Sequence, residues 1–312
     1  SSCNLKHKEG AMPDVRAETG ATGKDELLHV HSARDIAPFA NGRATALLFK
    51  VEGGSLKIVG VIDGDTRKWQ GKYPSPRVAT PGGLLKDHGK EAGGVEEYIV
   101  AAVQESFEEA GAVVSEENMY PLCRITKENS PFRNAKTDTE MGQRHTVEFC
   151  VFAHAGDVEL RETDDNDAKH PRWCDVFSEV LSPESAWYPQ HVAIVLSSLP
   201  CLKNALSEYL RGTVMIPRDV AFFEKLARTD EARESVEKGY EVEEYRKKLL
   251  EQLDSVNPIE VLEGLYSNLF AAPNTWKSDD EKKEKVARAK ASARKFWNNF
   301  RAYPLGSAQY FE

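Results

Sequence analysis

Glu105, Glu108 and Glu109 have the residue type and the spacing for metal chemistry. They lie in the segment Glu96-Glu-Tyr-Ile-Val-Ala-Ala-Val-Gln-Glu-Ser-Phe-Glu-Glu-Ala-Gly111, where Ile99, Ala102, Val103, Ser106 and Ala110 recur three or four residues apart. That period predicts an amphipathic helix over about 96–110, ended by Gly111 as its C-terminal cap. On such a helix side chains at i, i+3 and i+4 share a face, so the three carboxylates are expected to converge. Like charges so placed repel by a few tenths of a kcal/mol per pair, roughly, and a divalent cation removes the penalty. Hard carboxylate oxygens suit Mg²⁺ or Mn²⁺ far better than Zn²⁺ or Cu²⁺. An ion held this way can clamp phosphate oxygens, neutralise developing charge and acidify a bound water. An ExxEE run alone is more often a solvated acidic helix face, so the weight falls on its surroundings.

The elements that must position this helix are strands. Ala44-Thr-Ala-Leu-Leu-Phe-Lys-Val-Glu52 and Leu56-Lys-Ile-Val-Gly-Val-Ile62 flank Gly53-Gly54-Ser55 and read as a hairpin. Further strands are expected at Met119–Thr126, at His145–Ala153 beyond a polar loop over Asn129–Gln143, and at Pro171–Phe177. A helix over Pro183–Leu199 closes the unit. Strands on both sides of a central helix imply an α/β fold with a mixed sheet. Residues 1–26 lack apolar periodicity and are expected to form a flexible arm, with one unit over 27–200. From 201 to 312 heptad-like spacing, many Lys and Glu and no strand signal predict an all-helical C-terminal extension. Within it, Ile259–Phe270 is amphipathic after Pro258, and Glu281–Arg301 carries eight Lys or Arg against two Glu before Phe296, Trp297 and Phe300.

Upstream of the glutamates stands Pro81-Gly82-Gly83, and between lie Glu96, Ala101-Ala102 and Gln104. Together these resemble the box of the Nudix hydrolase family, G-x5-E-x7-R-E-U-x-E-E-x-G-U with U apolar, over roughly residues 40–200. The resemblance implies an α/β/α sandwich, metal ligation by Glu105, Glu108 and Glu109, a supporting role for Glu96, and hydrolysis of a phosphoanhydride in a nucleoside-diphosphate-linked substrate. There are three departures: Gln104 stands where the family has the arginine that ion-pairs the glutamates, Ser106 replaces an apolar residue, and Lys90 replaces the first glycine, whose turn Gly89 or Gly93-Gly94 can supply.

Substrate phosphates need cations besides the metal. Lys72 and Arg77 precede the Pro-Gly-Gly turn, and Arg144 with His145 opens a predicted strand. A lone surface cation is usually only solvated, so each is a weak candidate. Glu162, Asp164, Asp165 and Asp167 offer a further carboxylate for a base or second metal, although a solvated acidic loop explains them equally. Trp69, Tyr73 and Trp173 are candidates for stacking a base, but aromatics beside sheets are more often core.

The formal net charge of -9 does not mark the whole chain as a nucleic-acid binder. The five cysteines include no CxxC pair, which argues against a zinc site and for a reducing, intracellular compartment. No apolar run approaches the roughly 20 residues of a membrane span, so no membrane partner is expected. The chain opens Ser1-Ser2-Cys3 without Met, so the natural start is expected to be missing; a cleaved secretory or organellar targeting segment would not be visible, and a mitochondrial location is suspected. The basic stretch 282–301 could meet RNA phosphates or dock through its aromatics, and docking is favoured. A divergent box followed by a helical extension resembles the layout of kinetoplastid mitochondrial mRNA-stability subunits of the Nudix family. That likeness implies an RNA 5′-end or nucleotide substrate and an RNA-binding protein partner at the helical region. A diphosphoinositol substrate is a further option, and a degenerate module kept as an interaction scaffold is the competing reading.

Overall fold

A computed structural model describes residues 42–63, 77–85, 95–133, 140–163, 168–213, 215–227, 239–271 and 278–305. Strand β1 (Gly42–Glu52) turns through Gly53 and Gly54, with φ of 59° and 72°, into β2 (Ser55–Asp63). Positive φ at both turn residues is what a tight antiparallel hairpin needs, and only glycine supplies it without strain. β3 (Val78–Ala79) and β4 (Gly82–Leu84) are short and bracket Pro81. Then come α1 (Val95–Ala110), β5 (Tyr120–Arg133), β6 (Glu140–Ala155), β7 (Ala168–Asp175), a single π turn at Val176–Val180, and α2 (Pro189–Leu210). The C-terminal region adds α3 (Pro217–Leu226), α4 (Gly239–Ser255), α5 (Pro258–Phe270), α6 (Asp279–Trp297) and a last strand, β8 (Phe300–Pro304).

The sheet runs β3-β2-β1-β6-β5-β8, with β4 paired to β1 and β7 to β2. β1 and β6 are parallel while the other pairs are antiparallel, so the sheet is mixed as expected. Alternate residues of β1 serve opposite layers. Ala44, Ala46 and Leu48 pack with Tyr98, Ile99 and Ala102 of α1, whereas Leu47 and Phe49 pack with Val192, Val195 and Leu199 of α2. The result is an α/β/α sandwich.

The predicted stripe on α1 is largely buried, and Ser106 is accommodated because its hydroxyl donates to the Ala102 carbonyl at 2.7 Å. Gly111, at φ 62°, ends the helix; a side chain there would strike the Arg161 backbone at 2.6 Å. Arg161 in turn donates its amide to the Ala110 carbonyl, so the strap before β7 ties down the end of α1.

Several sequence expectations are corrected. β5 and β6 extend into the supposed polar loop, with Asn129 at φ 54° and register shifts near Pro131 absorbing the irregularity. α2 runs through Pro200 to Leu210 because apolar residues on both sides of the proline, Leu199, Cys201, Leu202 and Leu206 among them, are buried. The boundary expected at 200/201 therefore falls inside a helix. The C-terminal region is helical apart from β8, which adds to the sheet edge along β5 from Lys127↔Phe300 to Cys123↔Pro304. Phe300 is buried, and Phe296 and Trp297 pack against the core on the α2 side, so the aromatics dock on the body. The basic ridge of α6 is largely engaged: Glu263 of α5 meets Lys290 and Arg294, Glu281 meets Lys285, and Glu284 meets Arg288. Residues 1–26 lie outside the described residues. Cys123, Cys150, Cys174 and Cys201 are free, buried thiols. Among the described residues no helix is long and apolar enough to cross a membrane.

Candidate active site

The turn Pro81-Gly82-Gly83 is where the sheet meets the glutamate helix. Pro81 lends its carbonyl to the Ala46 amide at 2.9 Å, which fixes the turn against β1. The Gly82 amide donates to Glu109 Oε2 at 3.0 Å. Gly83 leaves the space that Glu105 fills: a Cβ at Gly83 would stand 1.6 Å from Glu105 Oε1. Gly82 is constrained differently, since its Cβ would come within 2.5 Å of the Ala44 carbonyl. Both glycines are thus required by close approach, one to backbone and one to a carboxylate.

Glu105 and Glu109 therefore meet at the turn, and Glu108, between them on α1, is exposed. Among the described residues no three His, Cys, Asp or Glu side chains are gathered closely enough to hold a metal ion. Two hard carboxylates at a glycine turn still fit Mg²⁺ or Mn²⁺, because such ions keep several waters and are commonly held by one or two carboxylates plus substrate phosphates. Glu105 and Glu109 are the residues that would hold it. Glu96 is exposed in the first turn of α1, about 14 Å from Glu105 along the helix axis.

Beside Glu109 opens a cavity of about 290 Å³, lined among others by Arg43, Thr45, Asp63, Thr80, Gln190 and His191. The sequence offered no local signal for these residues, which come from β1, β2, the β3–β4 turn and the start of α2. His191 is held by Thr80, whose amide donates to Nδ1 at 3.1 Å and whose hydroxyl lies 2.8 Å from the same atom. Gln190 accepts from Lys127 Nζ at 2.7 Å.

The other expected cations fare differently. Lys72, Trp69 and Tyr73 lie outside the described residues, as do Asp164, Asp165, Asp167, Gly89, Lys90 and Gly93-Gly94. Arg77 is buried and donates to the Ser185 carbonyl at 2.8 Å, so it ties β3 to the segment before α2 and does not line the cavity. Arg144 and His145 are placed on β6 opposite Pro131 and Ser130, with their side chains outside the described part. Glu162 accepts the His170 amide at 3.1 Å and its ring at 2.8 Å, an arrangement that holds His170 at φ 52°. Trp173 carries Lys50 Nζ 4.7 Å above its ring and packs beside the α1 core. Gln104 is exposed.

No family model matches the chain, and no curated protein matches it. Solved structures similar to it include a MutT/nudix family protein from Enterococcus faecalis (20% identity, 45% of this chain and 45% of that chain, TM-score 0.31). Another is the NUDIX domain of Shewanella oneidensis NrtR complexed with ADP ribose (14% identity, 53% and 87%, TM-score 0.36). A third is a C. elegans Ap4A hydrolase in a binary complex (17% identity, 44% and 82%, TM-score 0.27). The match thus spans less than half the length of the Enterococcus protein.

Proposed function

We propose that the chain is a Nudix-type, divalent-cation-dependent pyrophosphohydrolase that cleaves a phosphoanhydride in a nucleoside-diphosphate-linked substrate, the 5′-triphosphate end of RNA being the favoured case. The observation that carries this reading is the convergence of Glu105 and Glu109 on the Pro81-Gly82-Gly83 turn beside an open cavity. When bound, Mg²⁺ or Mn²⁺ supplies phosphate neutralisation and acidifies a water. The chain's own contribution is placement. The Gly82 amide orients the Glu109 carboxylate, the cramped space at Gly83 limits where Glu105 can sit, and the adjoining cavity holds the rest of the substrate.

The test is metal-dependent release of phosphate or pyrophosphate from 5′-triphosphorylated RNA, ADP-ribose and a diphosphoinositol, with wild type and Glu105→Gln side by side. Turnover of one substrate that the substitution abolishes supports the reading. Turnover that survives Glu105→Gln removes these glutamates from the mechanism.

A second reading is favoured by one observation: Gln104, which stands where the family has an ion-pairing arginine, is exposed on α1. In that reading the module is an interaction scaffold for a protein partner of a mitochondrial RNA-handling complex, met through the C-terminal helices. Silence on every substrate, with no Mn²⁺ binding by calorimetry, would favour it.

A further inference from the structure

We infer that a groove along the C-terminal half of α6 binds the phosphodiester backbone of single-stranded RNA, as a continuation of the candidate active-site cavity. The inference deepens the proposed function. It rests on that reading for which end of the RNA enters the cavity, while the groove is argued from residues that take no part in it.

From Lys285 to Arg301 the chain carries six Lys or Arg and no Asp or Glu. The helix sorts this stretch into two faces. Ala289 and Ala293 are buried and Phe296 packs against the core, so that face is spent on the body. Ala287, Lys290, Ala291, Arg294, Lys295 and Asn298, three or four residues apart on the other face, line a groove of about 600 Å³. The small side chains leave the floor open between the long cations.

These cations retain capacity for a ligand. Glu263 of α5 meets Lys290 at 3.5 Å and Arg294 through Nε, yet the two side chains are still 48% and 63% exposed. Nε is the one donor that Arg294 gives to Glu263, so both of its Nη groups stay available. Lys295 is exposed and has no ion-pair partner among the described residues. Asn298 adds an exposed side-chain amide. Three cations against one carboxylate leave the groove positive on a chain whose net charge is -9.

A short series of contacts joins the groove to the cavity. Asn299, which closes the groove, accepts the Glu128 amide at 2.9 Å on its carbonyl and Asn129 Nδ2 at 3.1 Å on its side-chain oxygen. The preceding residue of β5, Lys127, pairs with Phe300 across the β5–β8 ladder. Lys127 Nζ stands 5.5 Å and 5.8 Å from the Phe296 and Phe300 ring centroids and 2.7 Å from Gln190 Oε1. Gln190 lines the cavity, so a single lysine spans from one to the other.

Length and chemistry select the occupant. At 1.5 Å per residue the lining from Ala287 to Asn298 runs about 16 Å, room for several successive phosphates. Cations and amides along an open groove hold a single strand by its backbone without reading its sequence. A free nucleotide is accommodated by the cavity of about 290 Å³ and gains nothing from the groove. An acidic protein segment matches the charge, but it brings no phosphate to the adjoining cavity.

The experiment measures binding by the full chain in EDTA, so that turnover is excluded. The probes are a 5′-phosphorylated single-stranded RNA of about 12 nucleotides, a 5′-phosphorylated dinucleotide and a polyglutamate peptide of similar length to the RNA. We expect the wild type to bind the longer RNA at least about tenfold more tightly than the dinucleotide or the peptide. In Lys290→Gln/Lys295→Gln that affinity should fall about tenfold and the slope of log K against log salt should shrink by about 1.4, with dinucleotide affinity unchanged. Lys295→Gln alone, which breaks no ion pair, should shrink the slope by about 0.7 with an unaltered thermal transition. Lys247→Gln/Lys248→Gln removes the same charge from the exposed face of α4 and should stay within about twofold of wild type. Equal binding of dinucleotide and longer RNA, equal loss in the α4 variant, an unchanged salt slope in both groove variants, or tighter binding of the peptide would each overturn the inference. The expected ranking from a chain that hydrolyses nothing would uphold the groove and sink the hydrolase reading. Hydrolysis of free nucleotides without RNA binding would do the opposite.

Discussion

Glu109 on α1 and Gly82 in the turn between β3 and β4 are joined by a backbone-to-carboxylate hydrogen bond of 3.0 Å across 27 residues of sequence. Helix and sheet are held together there by a carboxylate that the proposed function also places at the metal. A substitution that preserves the hydrogen bond but removes the charge should therefore separate chemistry from folding. Glu109→Gln can still accept from the Gly82 amide. We expect hydrolysis to fall at least about 100-fold, close to 3 kcal/mol of barrier, with the unfolding midpoint little changed. Equal losses of rate and of stability would show instead that Glu109 is a structural tie.

The two glycines of the turn should fail in different ways. A Cβ at Gly83 meets a carboxylate that can swing aside, whereas one at Gly82 meets the Ala44 carbonyl and the Thr45 Cα, which cannot. Gly83→Ala is expected to displace Glu105 and lower activity with a modest stability cost. Gly82→Ala should cost about 1–3 kcal/mol of stability, read by urea unfolding. If Gly83→Ala hydrolyses substrate as well as wild type, the Glu105 position seen here is not the working one.

Arg124 on β5 and Glu148 on β6 form an ion pair that is almost wholly buried beneath α1. Removing one partner leaves an uncompensated charge in the core. Glu148→Ala should destabilise by about 3–5 kcal/mol, while replacing both residues with apolar ones of similar volume should cost far less. A double-mutant cycle in denaturant measures the difference, and a small loss in Glu148→Ala alone would mean water reaches the pair.

Asp219, at the start of α3, has its carboxyl pushed up to about 6 by burial, against the opposing pull of Arg218. The folded chain then binds more protons than the unfolded chain between about pH 4 and 6. Stability should fall as pH rises through that window. His154, whose ionisation burial pushes down, acts with the opposite sign, because there the unfolded chain binds more protons at acid pH. Comparison with Asp219→Asn isolates the first effect: the variant should gain on wild type as pH climbs from 4 to 7. A constant difference across that range would refute it.

The C-terminal region should not be separable from the sandwich. Ending the chain after residue 200 would cut α2 in the middle and strip β8 from β5. It would also expose Phe149, Val151 and Leu199, which share a core with Phe223 and Leu262. Such a fragment is expected to be insoluble or to lack a cooperative thermal transition. A sharp melt from a soluble 1–200 fragment would show that the unit folds without its extension.

Local rules were enough for much of this architecture. The 3.6-residue period of 96–110, Gly111 at its end, and the Gly53-Gly54 turn between alternating apolar runs each act over a few residues, and each reappears in the structure. The capping of α5 by Asn257 next to Pro258 is likewise a short-range effect. The placement of Glu105 and Glu109 on one face of α1 also follows from their spacing.

Distance in the chain decided the rest. α2 passes through Pro200 because buried contacts on either side outweigh the lost hydrogen bond. Phe300–Pro304 becomes a strand because β5 offers an unpaired edge, and five residues after a basic helix carry no periodicity to announce it. Arg77 is buried and donates to the Ser185 carbonyl, which no local signal in the sequence announces, since burial is a property of the fold and not of the residue. Arg43, Thr80 and His191 meet around one cavity only because β1, the β3–β4 turn and α2 converge there. Residue spacing determined which side chains share a helix face; tertiary packing determined which faces look at each other, and that is where this candidate site was made.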